Sequence, residues 1–330
     1  MPARTDWFRD AKWGVFVHYL ADVASNTEVP DIGVDDWNRR IDGIEVRGLA
    51  DQLEACGAGY FFITIGQNSG FYLSPNATYD AIVGHAPSRC SRRDLVADLA
   101  AELVPRDIRL MVYFTACAPA LDRQAIERLR CTPPNDARKI GFHPELYDYQ
   151  EGVDDRLTEF QSLWEQVVRE WSLRWGASCS GWWIDGCYNA DVMYRHADTP
   201  NFASFAAALK AGNPDSLVAF NPGVKVPVIR HTEHEDYTAG EISDAFPTPS
   251  MYGRHRLGPS VDGAQYHILT YLGEGWGQGD PRFPDEFVIG YTKLVNAHEG
   301  VVTWDTATTP EGLIAEPCLE QLRALGRATR

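Results

Sequence analysis

Short apolar segments alternate along this chain with longer segments whose apolar residues recur at helical spacing. The clearest strand-like segments cover residues 13–18, 60–65, 108–114, 181–185 and 217–220. Weaker strand patterns follow at residues 240–243, 266–270 and 301–304. Helices are predicted over residues 46–56, 94–103, 156–175, 202–209, 285–297 and 319–327. Such an alternation predicts a parallel sheet covered by helices.

Two architectures satisfy this pattern, an open doubly wound sheet and a closed barrel. The open sheet usually carries a glycine-rich phosphate-binding loop directly after its first strand. Here His18, Tyr19 and Leu20 follow the first strand, and neither GxGxxG nor GxxxxGK[ST] occurs anywhere in the chain. We therefore predict an α/β fold of the (β/α)8-like TIM-barrel type, with residues 1–330 forming a single catalytic domain.

The charge of the chain restricts its partners. The formal net charge is −16 at pH 7, so the phosphates of nucleic acid or of an anionic membrane would be repelled. The N-terminal residues lack the apolar core of a signal peptide, and no run approaches the roughly 18 apolar residues of a membrane span. The seven cysteines are scattered without a CxxC pair, which is typical of reduced thiols. We predict a cytoplasmic protein without nucleic-acid or membrane partners, and its oligomeric state stays open.

Polar side chains gather where the predicted strands end. In a parallel barrel the carboxyl ends of the strands converge on one cavity, where barrel enzymes place their chemistry. The residues at or just after these ends are His18, Gln67, Asn68, Tyr113, Asp185, Asn221 and Glu241.

The segment GWWIDG, residues 181–186, carries the strongest functional signal of the chain. It is typical of a buried strand that ends in the carboxylate of Asp185 and turns at once at Gly186. Trp182 and Trp183 alternate across this strand, so one faces the helices and the other can stack on a sugar ring. The alternative interpretation is an ordinary Asp-Gly turn after a strand.

A second carboxylate on the same rim would indicate glycoside hydrolysis, in which one carboxylate attacks the anomeric carbon and another protonates the leaving oxygen. Asp185 is the candidate nucleophile. The acid has to come from the acidic stretch at residues 233–241, and spacing alone does not choose among Glu233, Glu235, Asp236 and Glu241. Trp276, within the glycine-rich segment GEGWGQGD, is a candidate stacking platform.

Several motifs together resemble the catalytic domain of the family 29 glycoside hydrolases, the α-L-fucosidases. They are DAKWGVFVHYL at residues 10–20, SRRDLVADLAAELVPRDIRLMVYF at 91–114, GWWIDG at 181–186 and DYTAGE at 236–241. The resemblance implies a retaining double-displacement mechanism with Asp185 as nucleophile and Glu241 as acid/base, and Glu235 is the alternative acid/base. It also implies that His18 contacts the sugar.

The departures from the family concern the sugar. Gln67 and Asn68 stand where the family has two histidines that touch fucose hydroxyls, and Tyr19 stands where it has a tryptophan. The family's arginine near the fifth strand and its C-terminal β-sandwich have no counterpart here. We expect a retaining exo-glycosidase for an α-L-fucoside or a related glycoside, with poor activity on the L-fucoside itself. The predicted substrate-binding residues are His18, Tyr19, Gln67, Asn68, Tyr113, Trp183, Asn221 and Trp276.

Two alternatives remain open from the sequence. A metal-dependent barrel hydrolase would use histidines on the rim, for which His231, His234, His255 and His267 are available, but the usual pair of histidines at the first strand is absent. A non-catalytic sugar-binding barrel would keep the aromatic residues without needing Asp185. The preferred interpretation requires a carbohydrate substrate, no metal and no cofactor.

Overall fold

The structure is a computed structural model that describes residues 3–21, 31–131, 154, 156–249 and 257–329. Its strands are β1 (Trp13–Val17), β2 (Tyr60–Thr64), β3 (Arg109–Thr115), β4 (Gly181–Asp185), β5 (Leu217–Phe220), β6 (Ser260–Val261), β7 (Ala264–Gln265), β8 (His267–Tyr271) and β9 (Val301–Thr306). Its α-helices are α1 (Asp6–Ala11), α2 (Val34–Asp42), α3 (Val46–Cys56), α4 (Ala77–Val83), α5 (Leu95–Leu103), α6 (Arg123–Arg128), α7 (Thr158–Trp175), α8 (Ala190–Met193), α9 (Phe202–Leu209), α10 (Asp285–Ala297) and α11 (Glu316–Thr329).

Seven of the strands form one parallel sheet in the order β5-β4-β3-β2-β1-β9-β8, and β6 pairs with β7 in a small antiparallel hairpin. The parallel strands are buried on both faces over nearly their whole length. This double burial explains why they form uninterrupted apolar runs in the sequence. The sheet is curled like part of a barrel, which confirms the predicted barrel-like α/β arrangement.

Residues 235–242 lie between the two edge strands, β5 and β8. The amide of Asp236 donates to Val218 O of β5 at 2.9 Å, and on the other side Leu269 N donates to Gly240 O at 2.9 Å. Glu241 forms an isolated parallel bridge with Leu269 of β8. The strand predicted at 240–243 is therefore a single bridge. Gly240 has a φ of +64°, which breaks the extended backbone at that point.

Two apolar clusters lie on the two sides of the sheet. The inner cluster takes side chains from all seven sheet strands and from residues 237 and 239, and Phe8 of α1 packs on Tyr60 with ring centroids 4.8 Å apart. The outer cluster lies between the sheet and the helices. Trp183 belongs to the inner cluster and Trp182 to the outer one, which confirms the predicted alternation along β4. The carboxyl ends of the strands thus surround the open end of the inner core.

The predicted helices are present with small shifts in their bounds, and α10 begins and ends where the sequence predicts. The short helices α1, α4, α6 and α8 and the longer α2 were not predicted. Among the helices in the described ranges, none has both the length and the apolar character needed to cross a membrane.

Candidate active site

A cavity of about 130 Å³ opens at the carboxyl ends of the sheet strands. Its floor is apolar, formed by Phe16 and Leu269, and the other lining residues were predicted from the sequence as site residues. These are His18, Gln67, Tyr113, Trp183, Asp185, Glu241 and Trp276. The strand-end pattern therefore located the cavity correctly.

Asp185 ends β4, and its carboxylate accepts four hydrogen bonds. Gly186, at a φ of +85°, turns the chain so that its own amide donates to Oδ1 at 2.8 Å. Oδ1 also accepts from Tyr188 Oη at 2.9 Å and from Asn221 Nδ2 at 2.8 Å. Oδ2 accepts only from Tyr113 Oη, at 2.6 Å. Because a carboxylate oxygen has two lone pairs, Oδ2 is the oxygen with room for a bond to a ligand.

The two tyrosines that donate to Asp185 stay protonated. Burial first, and then the negative charge of Asp185, raise the pKa of Tyr113 well above its ordinary value. The charge of Asp185 is the largest cause of the raised pKa of Tyr188, followed by burial. Both hydroxyls therefore remain donors across the physiological range and keep the carboxylate of Asp185 oriented.

Asn221 joins the two candidate catalytic carboxylates. It follows β5 and is fully buried, and its Nδ2 donates to Asp185 Oδ1 at 2.8 Å and to Glu241 Oε2 at 2.6 Å. The two oxygens cannot be farther apart than these two lengths combined. This bound matches the separation of about 5–5.5 Å that is typical of retaining glycosidases and excludes the wider spacing of inverting ones for this pair of oxygens.

Glu241 has a shifted proton affinity. Burial is the largest cause and the negative charge of Asp185 the second, and together they raise the pKa of Glu241 to about 7, against the opposing effect of the Asn221 hydrogen bond. A carboxylic acid that keeps its proton near neutral pH can act as a general acid.

Gln67 connects the cavity to Asp185 through Tyr113. The single proton of Tyr113 Oη goes to Asp185, so Oη accepts from Gln67 Nε2, at 2.8 Å. Gln67 is only 9% exposed, and its Oε1 has no hydrogen-bond partner among the described residues. A buried acceptor without a partner costs free energy, so this side chain is held at a cost beside the cavity.

His18 is held by a buried carboxylate that the sequence analysis missed. Its Nδ1 lies 2.7 Å from Asp305 Oδ1, which leaves Nε2 for the cavity. The other oxygen of Asp305 accepts from the amide of Gly277, at 2.5 Å, which ties the loop bearing Trp276 to the same residue. Asp305 lies in β9, one residue beyond the predicted strand 301–304, so the strand-end rule could have found it.

Four of the predicted residues lie outside the cavity lining. Asn221 lies behind the carboxylates, and Tyr19 donates to Pro310 O at 2.6 Å in a neighbouring groove. Asn68 accepts from Leu121 N through its backbone oxygen. Glu235 accepts from three backbone amides, those of Phe220, His231 and Thr232.

The environment of Glu235 differs from that of Glu241. Burial raises the pKa of Glu235 to about 8, while its three backbone donors favour the charged form. These donors occupy both carboxylate oxygens and fasten the loop before residue 235 to the end of β5. Glu241 is the glutamate that lines the cavity.

Tyr188 was also missed, and the sequence carries no signal for it. It lies in the loop after β4, is 44% exposed, and reaches Asp185 only because the chain turns at Gly186. An exposed aromatic residue three positions after a strand is an ordinary loop residue in sequence terms.

The histidines of the metal-hydrolase alternative occupy separate surroundings. His267 is buried in the inner core near Thr303, and His231 bonds to the backbone of Cys187. His234 is near Glu233, and His255 lies outside the described residues. Within the described ranges, no group of three or more His, Cys, Asp or Glu side chains could hold a metal ion.

No protein-family model and no curated protein sequence matches the chain. Solved structures do match. An endo-fucoidan hydrolase from glycoside hydrolase family 107 superposes with a TM-score of 0.70 at 18% identity, covering 98% of this chain and 53% of its own. The α-L-fucosidase AlfC from Lactobacillus casei, in complex with its α-L-fucose product, gives 0.63 at 13% identity, covering 98% and 97%. A family 29 α-L-fucosidase from Bacteroides thetaiotaomicron gives 0.60 at 15% identity, covering 99% and 73%.

The chain shares its overall fold with these solved fucosidases and fucoidan hydrolases. Similar structures come from both family 107 and family 29, so the fold does not single out family 29 as the sequence motifs did. This chain spans about half the length of the family 107 structure and nearly all of AlfC.

Proposed function

We propose that this protein is a retaining glycoside hydrolase with Asp185 as nucleophile and Glu241 as acid/base. The observation that carries the proposal is the Asn221 amide, which donates to both carboxyl groups and so keeps the two bonded oxygens within the separation of about 5–5.5 Å that is typical of double-displacement enzymes. The surroundings of the two carboxyl groups add support. Asp185 accepts four hydrogen bonds that stabilise its charge, whereas burial and that same charge hold a proton on Glu241.

In the first step, Asp185 Oδ2 attacks the anomeric carbon and the bond to the leaving oxygen breaks. Glu241 gives its proton to that oxygen, so the leaving group departs neutral. The product of this step is a glycosyl ester on Asp185 and an ionised Glu241.

In the second step, Glu241 takes a proton from water, and the water oxygen attacks the anomeric carbon while Asp185 leaves as a carboxylate. Formation of the ester removes the negative charge that helped to raise the pKa of Glu241. The same residue can therefore act as acid in the first step and as base in the second.

A closed barrel is part of the same proposal. We propose that residues 235–242 take the place of an eighth strand and close the sheet into a (β/α)8-like barrel. Support comes from their backbone bonds to both edge strands and from the inner cluster, to which Tyr237 and Ala239 contribute beside the seven strands. Closure would bring Glu241 onto the same rim as Asp185.

We also propose which kind of sugar the cavity binds. His18, Gln67, Trp183 and Trp276 line the cavity, so an imidazole, an amide and two indole rings are available to a sugar. Gln67 replaces an imidazole of the α-L-fucosidases. An amide neither titrates nor reproduces imidazole geometry, so we expect a sugar related to L-fucose to be preferred over L-fucose.

A panel of nitrophenyl glycosides of L-fucose, L- and D-galactose, D- and L-arabinose and D-fucose tests the proposal. We expect hydrolysis of at least one, with a first product of retained anomeric configuration by proton NMR. An inverted product would contradict the pair of residues. Binding of sugars without hydrolysis of any glycoside would favour the non-catalytic sugar-binding barrel.

A further inference from the structure

A second cavity, larger than the catalytic one, opens beside it. It has a volume of about 510 Å³, and it shares His18 and Trp276 with the catalytic cavity. Its other walls come from the loop after β1, from α2 and from the loop after β9, and they include Tyr19, Arg40 and Thr308. We call this cavity the side groove.

The walls of the side groove have the chemistry of a sugar subsite. The indole of Trp276 is half-buried and lies between the two cavities, and the exposed Gln278 follows it on the same loop. Arg40 is held in place because its guanidinium lies over the Tyr19 ring, 5.5 Å from the centroid, and donates to Leu20 O at 3.0 Å. The aromatic face of Trp276, with the Gln278 amide and the Arg40 guanidinium as hydrogen-bond donors around it, suits a pyranose ring with its hydroxyls.

The position of the side groove assigns it to one side of the scissile bond. In the sheet order, β9 stands four places from β4, so in the proposed eight-membered barrel the loop after β9 lies across the catalytic cavity from Asp185. The leaving group departs from the face of the anomeric carbon opposite the nucleophile. Glu241 is bridged to Leu269 of β8, which is the neighbour of β9 in the sheet.

We propose that the side groove binds the sugar ring of the leaving group, so that the substrate is a glycoside of another sugar. This inference rests on the proposed function. It adds a leaving-group subsite built from Arg40, Trp276, Gln278 and Thr308 to the catalytic cavity. The same subsite would hold an acceptor sugar when the glycosyl-enzyme transfers to a hydroxyl in place of water.

Transfer offers a test that is independent of the first chemical step. The protein is incubated with the best nitrophenyl glycoside of the panel and with methyl α-D-glucopyranoside, methyl β-D-galactopyranoside or methyl α-L-fucopyranoside as acceptor. The ratio of transfer product to hydrolysis product is measured by chromatography. Both products come from one glycosyl-enzyme, so the ratio reports only how the acceptor is bound.

We expect the wild-type protein to form a transfer product with at least one acceptor. Arg40→Ala and Gln278→Ala should each lower the transfer ratio about fivefold, the effect of losing one hydrogen bond. Arg39→Ala is the matched control, because Arg39 precedes Arg40 on α2 and pairs with Asp36 at 2.6 Å. Its ratio should equal that of the wild type.

The Gln278→Ala variant should fold normally, because Gln278 is an exposed loop residue, so a lower ratio in this variant cannot be attributed to misfolding. If glycosides are hydrolysed but no transfer product forms, or if the ratio is the same in all three variants, the inference is overturned and the proposed function stands. If no glycoside is turned over, the proposed function fails and the inference fails with it.

Discussion

The side chain of Asn221 gives the site its geometry. One amide nitrogen donates to both carboxyl groups, so the positions of Asp185 and Glu241 depend on a residue that does not line the cavity. Asn221 was predicted from its place at the end of a strand, as a sugar contact. Its actual partners depend on the convergence of β4, β5 and the 235–242 segment, which no local pattern encodes.

Replacing Asn221 by alanine should lower kcat/KM by about one to two orders of magnitude. The hydrogen bond from the amide to the carboxylate of Asp185 contributes about 1.5–3 kcal/mol, and each 1.4 kcal/mol is tenfold. Steady-state kinetics on the best nitrophenyl glycoside measure the effect. Asn213→Ala is the control, because Asn213 lies before β5 and donates to Cys179 O. Equal kinetics in the two variants would contradict a positioning role for Asn221.

The protonation of Glu241 predicts the alkaline limb of the pH profile. Glu241 acts as an acid only while protonated, and burial with the charge of Asp185 raises its pKa to about 7. Activity should therefore be retained below that pH and should fall as pH rises through it, because the proton needed by the leaving group is lost. The measurement is kcat/KM against pH for a nitrophenyl glycoside.

The Glu241→Gln variant checks the origin of that limb. With a dinitrophenyl leaving group, which needs little protonation, the variant should keep measurable activity and lose the decline above about pH 7. Added azide should partly restore turnover in Glu241→Ala. If the decline in activity above about pH 7 persists in Glu241→Gln, another group is responsible for it, and Glu235 is the first to examine.

At the scale of single elements, β9 and the loop after β8 act together on His18. Gly277 lies so close that a Cβ there would be 2.9 Å from His18 Cβ, and its φ of +67° favours glycine. Its amide and the His18 ring share the two oxygens of Asp305. The His18 ring and the Trp276 platform are therefore positioned by one buried carboxylate.

Asp305→Asn should raise KM about tenfold with a smaller change in kcat. An amide has one acceptor oxygen, so either His18 or Gly277 loses its acceptor, at a cost of about 1.5 kcal/mol for a charge-assisted bond. The split between KM and kcat distinguishes loss of sugar positioning from loss of chemistry. A fall in kcat alone, with KM unchanged, would contradict this role of β9.

Elements were predictable where burial dictates the sequence. Strands β4 and β5 match their predicted bounds because both faces of these strands are buried, and α10 matches because one face packs on the sheet. The strand predicted at 240–243 reduces to one bridge because Gly240 turns the backbone, and a Cβ there would also meet His267 O. Short helices such as α1 and α8 give too few turns for a periodic pattern.

At the scale of the whole molecule, the contact between residues 235–242 and β5 depends on a buried charge. Asp236 is 4% exposed, and its carboxylate pairs with Lys210 Nζ, with Arg4 at 2.7 Å and with the amide of Val218 in β5. This cluster lies at the opposite end of the sheet from the cavity. It ties α9, the N-terminal segment and β5 to the 235–242 segment.

Asp236→Ala should lower the free energy of unfolding by about 1.5–3 kcal/mol, because it removes the buried acceptor of the bonds from Lys210 and from the Val218 amide, whereas Arg4 is partly exposed and loses little. Urea denaturation followed by tryptophan fluorescence measures this change. Asp191→Ala, which removes an exposed i,i+4 pair with Arg195, should change it by only about 0.5 kcal/mol. If the two variants were equally stable, the closing contact would not depend on this charge.

The central claim is that Asp185 forms a covalent bond to the sugar. It is tested most directly by incubating the protein with the 2-deoxy-2-fluoro glycosyl fluoride of the sugar that it cleaves best, followed by proteolysis and mass spectrometry of the peptides. The fluorine slows both steps, and the fluoride leaving group allows the first step to proceed, so the ester accumulates. We expect one sugar per chain, attached to Asp185. A label on another carboxylate, or complete turnover to an inverted product without any label, would contradict the mechanism.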